Sequence, residues 1–220
     1  MLDKMKSSHF IQKYSVQFAN ETGQESQPFY FYENNPHEST QTWQVVRSEL
    51  DHMLLNNSRE HGVDVREETR VLDITFEGDR QTGVRVQNPD GTEELVKPKV
   101  IVDASGQSSL IANRLKLRKH DPVLKKASVW AYFKGAKREP GKFDEGATLV
   151  LQTKGKKGWF WYIPQHNDII SVGVVSSIEH LFGNRSDLEE IFASEVENCP
   201  AVKKRIEGSQ RVTHLYTTKD

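Results

Sequence analysis

The chain has 220 residues, 35% hydrophobic and 28% charged, with a net charge of −1 and a mean hydropathy of −0.68. That balance offers no basic field for nucleic acid, and no apolar run approaches the ~20 residues of a membrane-spanning helix. The one cysteine, Cys199, excludes an internal disulfide framework and a cysteine-based metal site. No signal peptide is visible, so a cytoplasmic location is expected. The length suffices for one large domain or parts of two.

Met1–Lys6 reads as the end of an amphipathic helix already in progress. Period-two alternation from His9 to Phe18 predicts a strand. Asn20–Gly23 is a turn, and Pro28–Tyr32 an aromatic strand. Trp43–Arg47 leads into a helix, with Ser48 and Asp51 as a capping box, a stripe of Leu50, Met53 and Leu54, and Gly62 past its end. Arg47 therefore stands just before a helix N-terminus, where a guanidinium and free N–H groups suit an anion such as pyrophosphate; a solvated arginine is the plainer alternative.

Val63–Arg66 predicts a short strand. Arg70–Phe76, Thr82–Gln87 and Glu93–Val96 predict a three-stranded meander, with Asn88-Pro89-Asp90-Gly91 turning between the last two. Val100–Val102 reads as a buried strand running into Asp103-Ala104-Ser105-Gly106. Ser108 or Ser109 then caps a helix bearing Leu110, Ile111 and Leu115. A strand, a glycine-containing turn and a helix let backbone approach a ligand closely, although many α/β turns look alike.

From residue 126 onward the pattern is sheet: Ser128–Lys134, Ala147–Thr153, Gly158–Pro164 and Ile169–Val175. The lysines at 154, 156 and 157 form a solvated hairpin turn. Ser186 and Glu189 suggest a second capping box, for a helix with Leu188, Ile191, Phe192 and Val196 inward. Arg211–Thr217 is a last strand. Within Gly158-Trp159-Phe160-Trp161-Tyr162-Ile163-Pro164, the two indoles share one strand face and Phe160 and Tyr162 the other. Such a strand is either a core strand covered on both sides or a pocket wall. The eight histidines (His9, His37, His52, His61, His120, His166, His180 and His214) show no metal-ligand spacing, so no metal site is expected.

The segment from Trp159 to Pro164 resembles the Trp-x-Trp-x-Ile-Pro motif of flavin-dependent halogenases. The order Arg47–Asp51, meander, Asp103–Gly106 resembles the FAD-binding half of para-hydroxybenzoate-hydroxylase-like flavoproteins. Together they point to the tryptophan-halogenase-like superfamily, over nearly the whole chain. The resemblance implies an α/β fold with α+β character: part of an FAD/NAD(P)-binding flavoprotein fold plus an antiparallel substrate-side sheet. It implies substrate-side strands over 1–40, a partial FAD-binding domain over 41–125, and the substrate-side sheet and helix over 126–220. It assigns FAD contacts to Gln44, Arg47, Val71, Asp103, Ala104, Ser105 and Gly106. Trp159, Trp161, Ile163 and Pro164 become the wall of the active site, with no catalytic residue in this chain. The partners implied are a small organic substrate, a halide and a flavin reductase supplying reduced FAD.

No Gly-x-Gly-x-x-Gly occurs, and no two glycines are separated by a single residue. The phosphate-cradling turn, the family's lysine and its second FAD segment would all lie outside this chain. The expectation is therefore an internal fragment, a truncated product or an incomplete gene model. A flavin hydroxylase, a geranylgeranyl-reductase-like oxidoreductase and an inactive remnant or β-rich binding module remain as alternatives, because fold alone does not choose among them.

Overall fold

The computed structural model describes the chain except Asp79, His120, Pro122 and Asp220, so the expectation for His120 lies outside the described residues. The chain forms two compact units: residues 1–54 together with 122–220, and residues 55–121. No helix among the described residues is long and apolar enough to cross a membrane.

The larger unit contains α1 (Leu2–Lys6), β1 (Ile11–Lys13), β2 (Ser15–Ala19), β3 (Phe29–Tyr30), β4 (Thr42–Gln44) and the start of α2 (Arg47–Glu60). The smaller contains the rest of α2, β5 (Arg70–Glu77), β6 (Arg80–Gln87), β7 (Glu93–Val96) and α3 (Leu110–Arg114). The larger unit resumes with β8 (Lys126–Lys134), β9 (Thr148–Gln152), β10 (Gly158–Pro164) and β11 (Ile169–Ser177). After them come α4 (Ile178–Phe182), α5 (Leu188–Glu197), α6 (Pro200–Ile206), β12 (Gln210–Arg211) and β13 (Tyr216–Lys219).

Its main sheet runs β12–β8–β11–β10–β9–β2–β3, with β13 also paired to β8. Every pairing is antiparallel except β2 with β9. The β10–β11 hairpin closes through Asn167 and Asp168, both at positive φ (58° and 60°), as a two-residue turn whose twist matches the strands. Leu181, Ile191, Phe192, Ala201 and Val202 from the three helices join Val129, Leu151, Phe160, Tyr162 and Val172 in one core. Phe192 is the hub: its ring stacks on Phe133 and meets Phe160 edge-on, each at 6.0 Å. Arg205 is buried beneath this layer, with Nη2 2.7 Å from Glu25 and 2.6 Å from Glu139. The Tyr162 hydroxyl donates to the Lys137 carbonyl at 2.7 Å, and burial pushes its pKa far up. Cys199 is buried, as expected of a structural thiol.

The long strands, the meander and the turns at Asn20 and Asn88 form as predicted. Several other expectations are corrected. The His9–Phe18 strand breaks at buried Tyr14, and its halves join different sheets, β1 with β4 and β2 with β9 and β3. The strand at Pro28–Tyr32 shortens to β3, because the chain tightens into a 3₁₀ turn at Phe31–Glu33. Residues 63–66 form no strand, and neither does Val100–Val102, whose terminal valines are 76% and 83% exposed. Apolar residues alone do not make a strand, and no other strand described here pairs with these segments. Arg211–Thr217 divides into β12 and β13 around a bend.

Both capping boxes fail for one reason: their acids bind elsewhere. Helix α2 starts at Arg47, which puts Ser48 inside the first turn, and Asp51 pairs with Arg47. In α5 the cap is Asp187, which accepts from the Glu189 N–H, while the Glu189 carboxylate holds Arg211. No residue of α2 is fully buried, so its expected apolar stripe is only partly covered. Its end behaves as predicted: Gly62 at φ 82° donates to Arg59 and Val63 donates to Ser58, the paired bonds of a Schellman motif.

Replacing Phe192 with alanine removes the ring that joins α5 to β8 and β10. A loss of roughly 3–5 kcal/mol is expected. Chemical denaturation checks it, and an unchanged midpoint would show that the core does not depend on this ring.

Candidate functional site

Strand β10 sorts its side chains as the alternation demands. Phe160, Tyr162 and Pro164 face the buried side; Trp159, Trp161 and Ile163 face the other. Pro164 is thus placed opposite the three residues with which sequence reasoning grouped it. Trp159 is 40% exposed and borders an open depression of about 990 Å³, which Phe18, Val150, Gln152 and Val175 also line.

Strands β8 and β13 extend this open face into an aromatic layer. Trp130 lies 6.1 Å from Trp161 and stacks on Tyr216 at 5.5 Å, while Trp159 meets Trp161 edge-on at 6.5 Å. Trp161 also donates through Nε1 to Ser171 Oγ at 3.1 Å. Only Trp159 and Trp161 were singled out from the sequence. Trp130 and Tyr216 join them through cross-strand register, which no local motif reveals.

The layer closes over Gly173. It pairs with Trp161 on one side and Trp130 on the other. A Cβ at this position would lie 2.2 Å from Trp161 Cζ2 and 2.5 Å from Trp130 Cβ. The two indoles occupy the space that any larger residue would need.

The expected FAD contacts fall in both units. In the larger, Gln44 is buried and its amide is spent on structure, donating to the Gly146 carbonyl (2.8 Å) and Thr148 Oγ1 (2.7 Å). Arg47 is exposed at the start of α2, and its guanidinium grips Asp51 at 3.1 Å. In the smaller unit Val71 is exposed on β5. There the 103–106 turn is also exposed and is built around Asp103. Its carboxylate accepts from the Ser105 N–H (3.0 Å) and the Ile111 N–H (2.8 Å). Ser109 holds the N-cap position of α3 without a side-chain bond, and the side chains of Ser105, whose Oγ accepts from the Leu110 N–H at 3.1 Å, and Asp103 satisfy the first N–H groups instead. The bond to Ser105, then those from the backbone, hold the Asp103 carboxyl below its ordinary pKa. Gly106, at φ 61°, has nothing within 4 Å of the place a Cβ would take. Taken unit by unit, the larger offers an exposed cation at a helix start in Arg47, and the smaller an open turn without a side chain at Gly106; each by itself is compatible with an anionic ligand.

The structure also gathers titratable groups that sequence spacing kept apart. His9, Glu49 and His166 bring their ligand atoms within 4.8 Å of one another. The histidines are scattered along the sequence, and only the tertiary fold brings His9 and His166 to Glu49.

Gly173→Ala should strain the aromatic layer and cost roughly 1–3 kcal/mol. Tryptophan fluorescence and denaturant unfolding read the change together. Unaltered emission and stability would mean the indoles do not depend on this slot.

Residues 3–214 match the family model described as tryptophan halogenase. The flavin-dependent halogenase armH2 of Armillaria mellea is 37% identical over 182 residues, 80% of this chain and 34% of that protein. Among solved structures, the myxobacterial chondrochloren halogenase CndH, an FAD-dependent halogenase, superimposes with a TM-score of 0.83 at 32% identity, covering 99% of this chain and 50% of that one. The flavin-dependent halogenase CmlS gives a TM-score of 0.86 at 26% identity, covering 100% of this chain and 39% of that one. The chain thus spans between a third and a half of the proteins it resembles. With its Trp-x-Trp-x-Ile-Pro strand and the aromatic face built on it, the chain belongs to the tryptophan halogenase family.

Proposed function

We propose that this chain forms the substrate-side wall and part of the FAD-contacting surface of a flavin-dependent halogenase acting on a small organic substrate. The observation that carries the reading is the aromatic face of Trp159, Trp161 and Trp130 beside an open depression. An indole has no titratable proton near neutral pH, so these residues exclude and orient and do not act as acids or bases. Their task is to keep the organic substrate apart from the flavin while halide reacts first. FAD, when bound, supplies the oxidising chemistry, with reduced flavin delivered by a flavin reductase in the cytoplasm. Arg47, Val71 and the Asp103–Gly106 turn are the proposed contacts to FAD. Gln44 is a further proposed contact, and its amide N–H groups also fix the backbone before Arg47.

Two experiments test this in a protein of its relatives' full length that carries this chain. Arg47→Ala should weaken FAD binding about tenfold or more, read by fluorescence titration. Unchanged affinity with the fold intact removes Arg47 from the site. In the second, Trp161→Phe should keep fold and FAD but lower the yield of halogenated product made from reduced FAD, oxygen and chloride or bromide. Hydroxylated product formed by the unsubstituted protein without regard to halide would instead support the hydroxylase reading.

A further inference from the structure

We propose that His9, Glu49 and His166 form a binding site for one divalent first-row transition-metal ion of the Zn²⁺ class. The three come from separate places in the larger unit: the segment after α1, the first turn of α2, and the turn that joins β10 to β11. His9 Nε2 stands 2.7 Å from Glu49 Oε2, and His166 Nε2 stands 3.1 Å from Glu49 Oε1. The imidazoles meet edge-to-face with centroids 4.4 Å apart. One carboxylate therefore stands between two imidazole nitrogens.

His166 is the observation that points to a ligand. Its side chain is only 12% exposed, both ring nitrogens are shielded from solvent, and neither has a hydrogen-bond partner. Its approach to Glu49 is close but not aligned as a hydrogen bond. Buried polar atoms are ordinarily paired, and an unpaired one calls for an explanation such as an ion. His9 already meets Glu49 in a hydrogen bond, and His166 is left beside the same carboxylate without one. A dication would take a lone pair from each ring and from one carboxylate oxygen, and so would satisfy all three.

The donor set selects the ion class. Two imidazoles and a carboxylate suit Zn²⁺ and its first-row neighbours, whereas Mg²⁺ and Ca²⁺ prefer oxygen ligands throughout. With metal–ligand bonds of about 2.0–2.1 Å, tetrahedral ligands lie about 3.3 Å apart. The 2.7 and 3.1 Å separations run to the two different oxygens of Glu49, and the three ligand atoms lie within 4.8 Å of one another, so the side chains must adjust to share one ion. The His9 side chain, 64% exposed, has room to supply the adjustment and leaves a fourth position open to water.

Such an ion would be a staple. Glu49 lies two residues beyond Arg47, and His166 two residues beyond Pro164. The ion would lock the start of α2 to the end of the tryptophan strand, whatever reaction the family member performs.

The test uses the 220-residue chain, freed of any affinity tag, stripped with chelator and titrated with Zn²⁺ by calorimetry. Co²⁺ serves as a visible-absorption probe of coordination. One ion per chain is expected, with a Kd below about 10 μM. A higher melting temperature with Zn²⁺ is also expected. Glu49→Gln, which keeps the side chain's volume, and His166→Ala should each weaken binding at least about tenfold. His61→Ala, remote in sequence from the cluster, should leave it unchanged. No saturable binding in that range would overturn the site. Binding that survives Glu49→Gln would do the same, and that variant decides the matter if His166→Ala fails to fold.

Discussion

The open face of the sheet depends on one missing side chain. Gly173 lies between Trp161 and Trp130, and the two indoles lean into the space above it. Because side chains alternate along a strand, that fit also decides what β10 sends the other way: Phe160 and Tyr162 into the helix layer. A slip of one residue would bury the tryptophans and expose the core. The aromatic wall and the hydrophobic core are two results of the same register.

On the buried side, polar groups hold the helices in place. Arg205 of α6 reaches Glu25 and Glu139, while Glu195 of α5 is buried beside His180 at 3.0 Å and Arg185 at 3.4 Å. Buried charges such as these add little net stability when intact, but removing one partner leaves the other uncompensated. They favour one seating of the helices over a looser hydrophobic contact. On the open face the indoles are held by ring packing and by the Trp161 bond to Ser171.

The sequence was most legible where the pattern is local. Period-two alternation and turn residues located β5 to β11, and the Trp-x-Trp-x-Ile-Pro spacing pointed to the right family. It was least legible where partners decide. Val100–Val102 has the composition of a buried strand but, among the described residues, no strand that pairs with it. Ser48 and Asp51 look like a capping box, yet Arg47 competes for the acid. Trp130, Tyr216 and Gly173 carry no motif, and the grouping of His9 with His166 comes from the fold alone. The bonds from the Gln44 amide nitrogen to Gly146 and Thr148, about a hundred residues later, are likewise visible only in the fold.

The single parallel pairing, β2 with β9, has a consequence for biogenesis. Residues 16–19 of β2 align with 148–151 of β9, and the smaller unit lies between them in the chain. On the ribosome β2 emerges before the whole of the smaller unit, and its partner only after it. Meanwhile the meander of β5–β7 has only local contacts to make and can close first. During that interval Phe18 and Val16 present an unpaired apolar edge. Synthesis rate and chaperone access, and not only final stability, therefore bear on how much of this protein reaches its folded form.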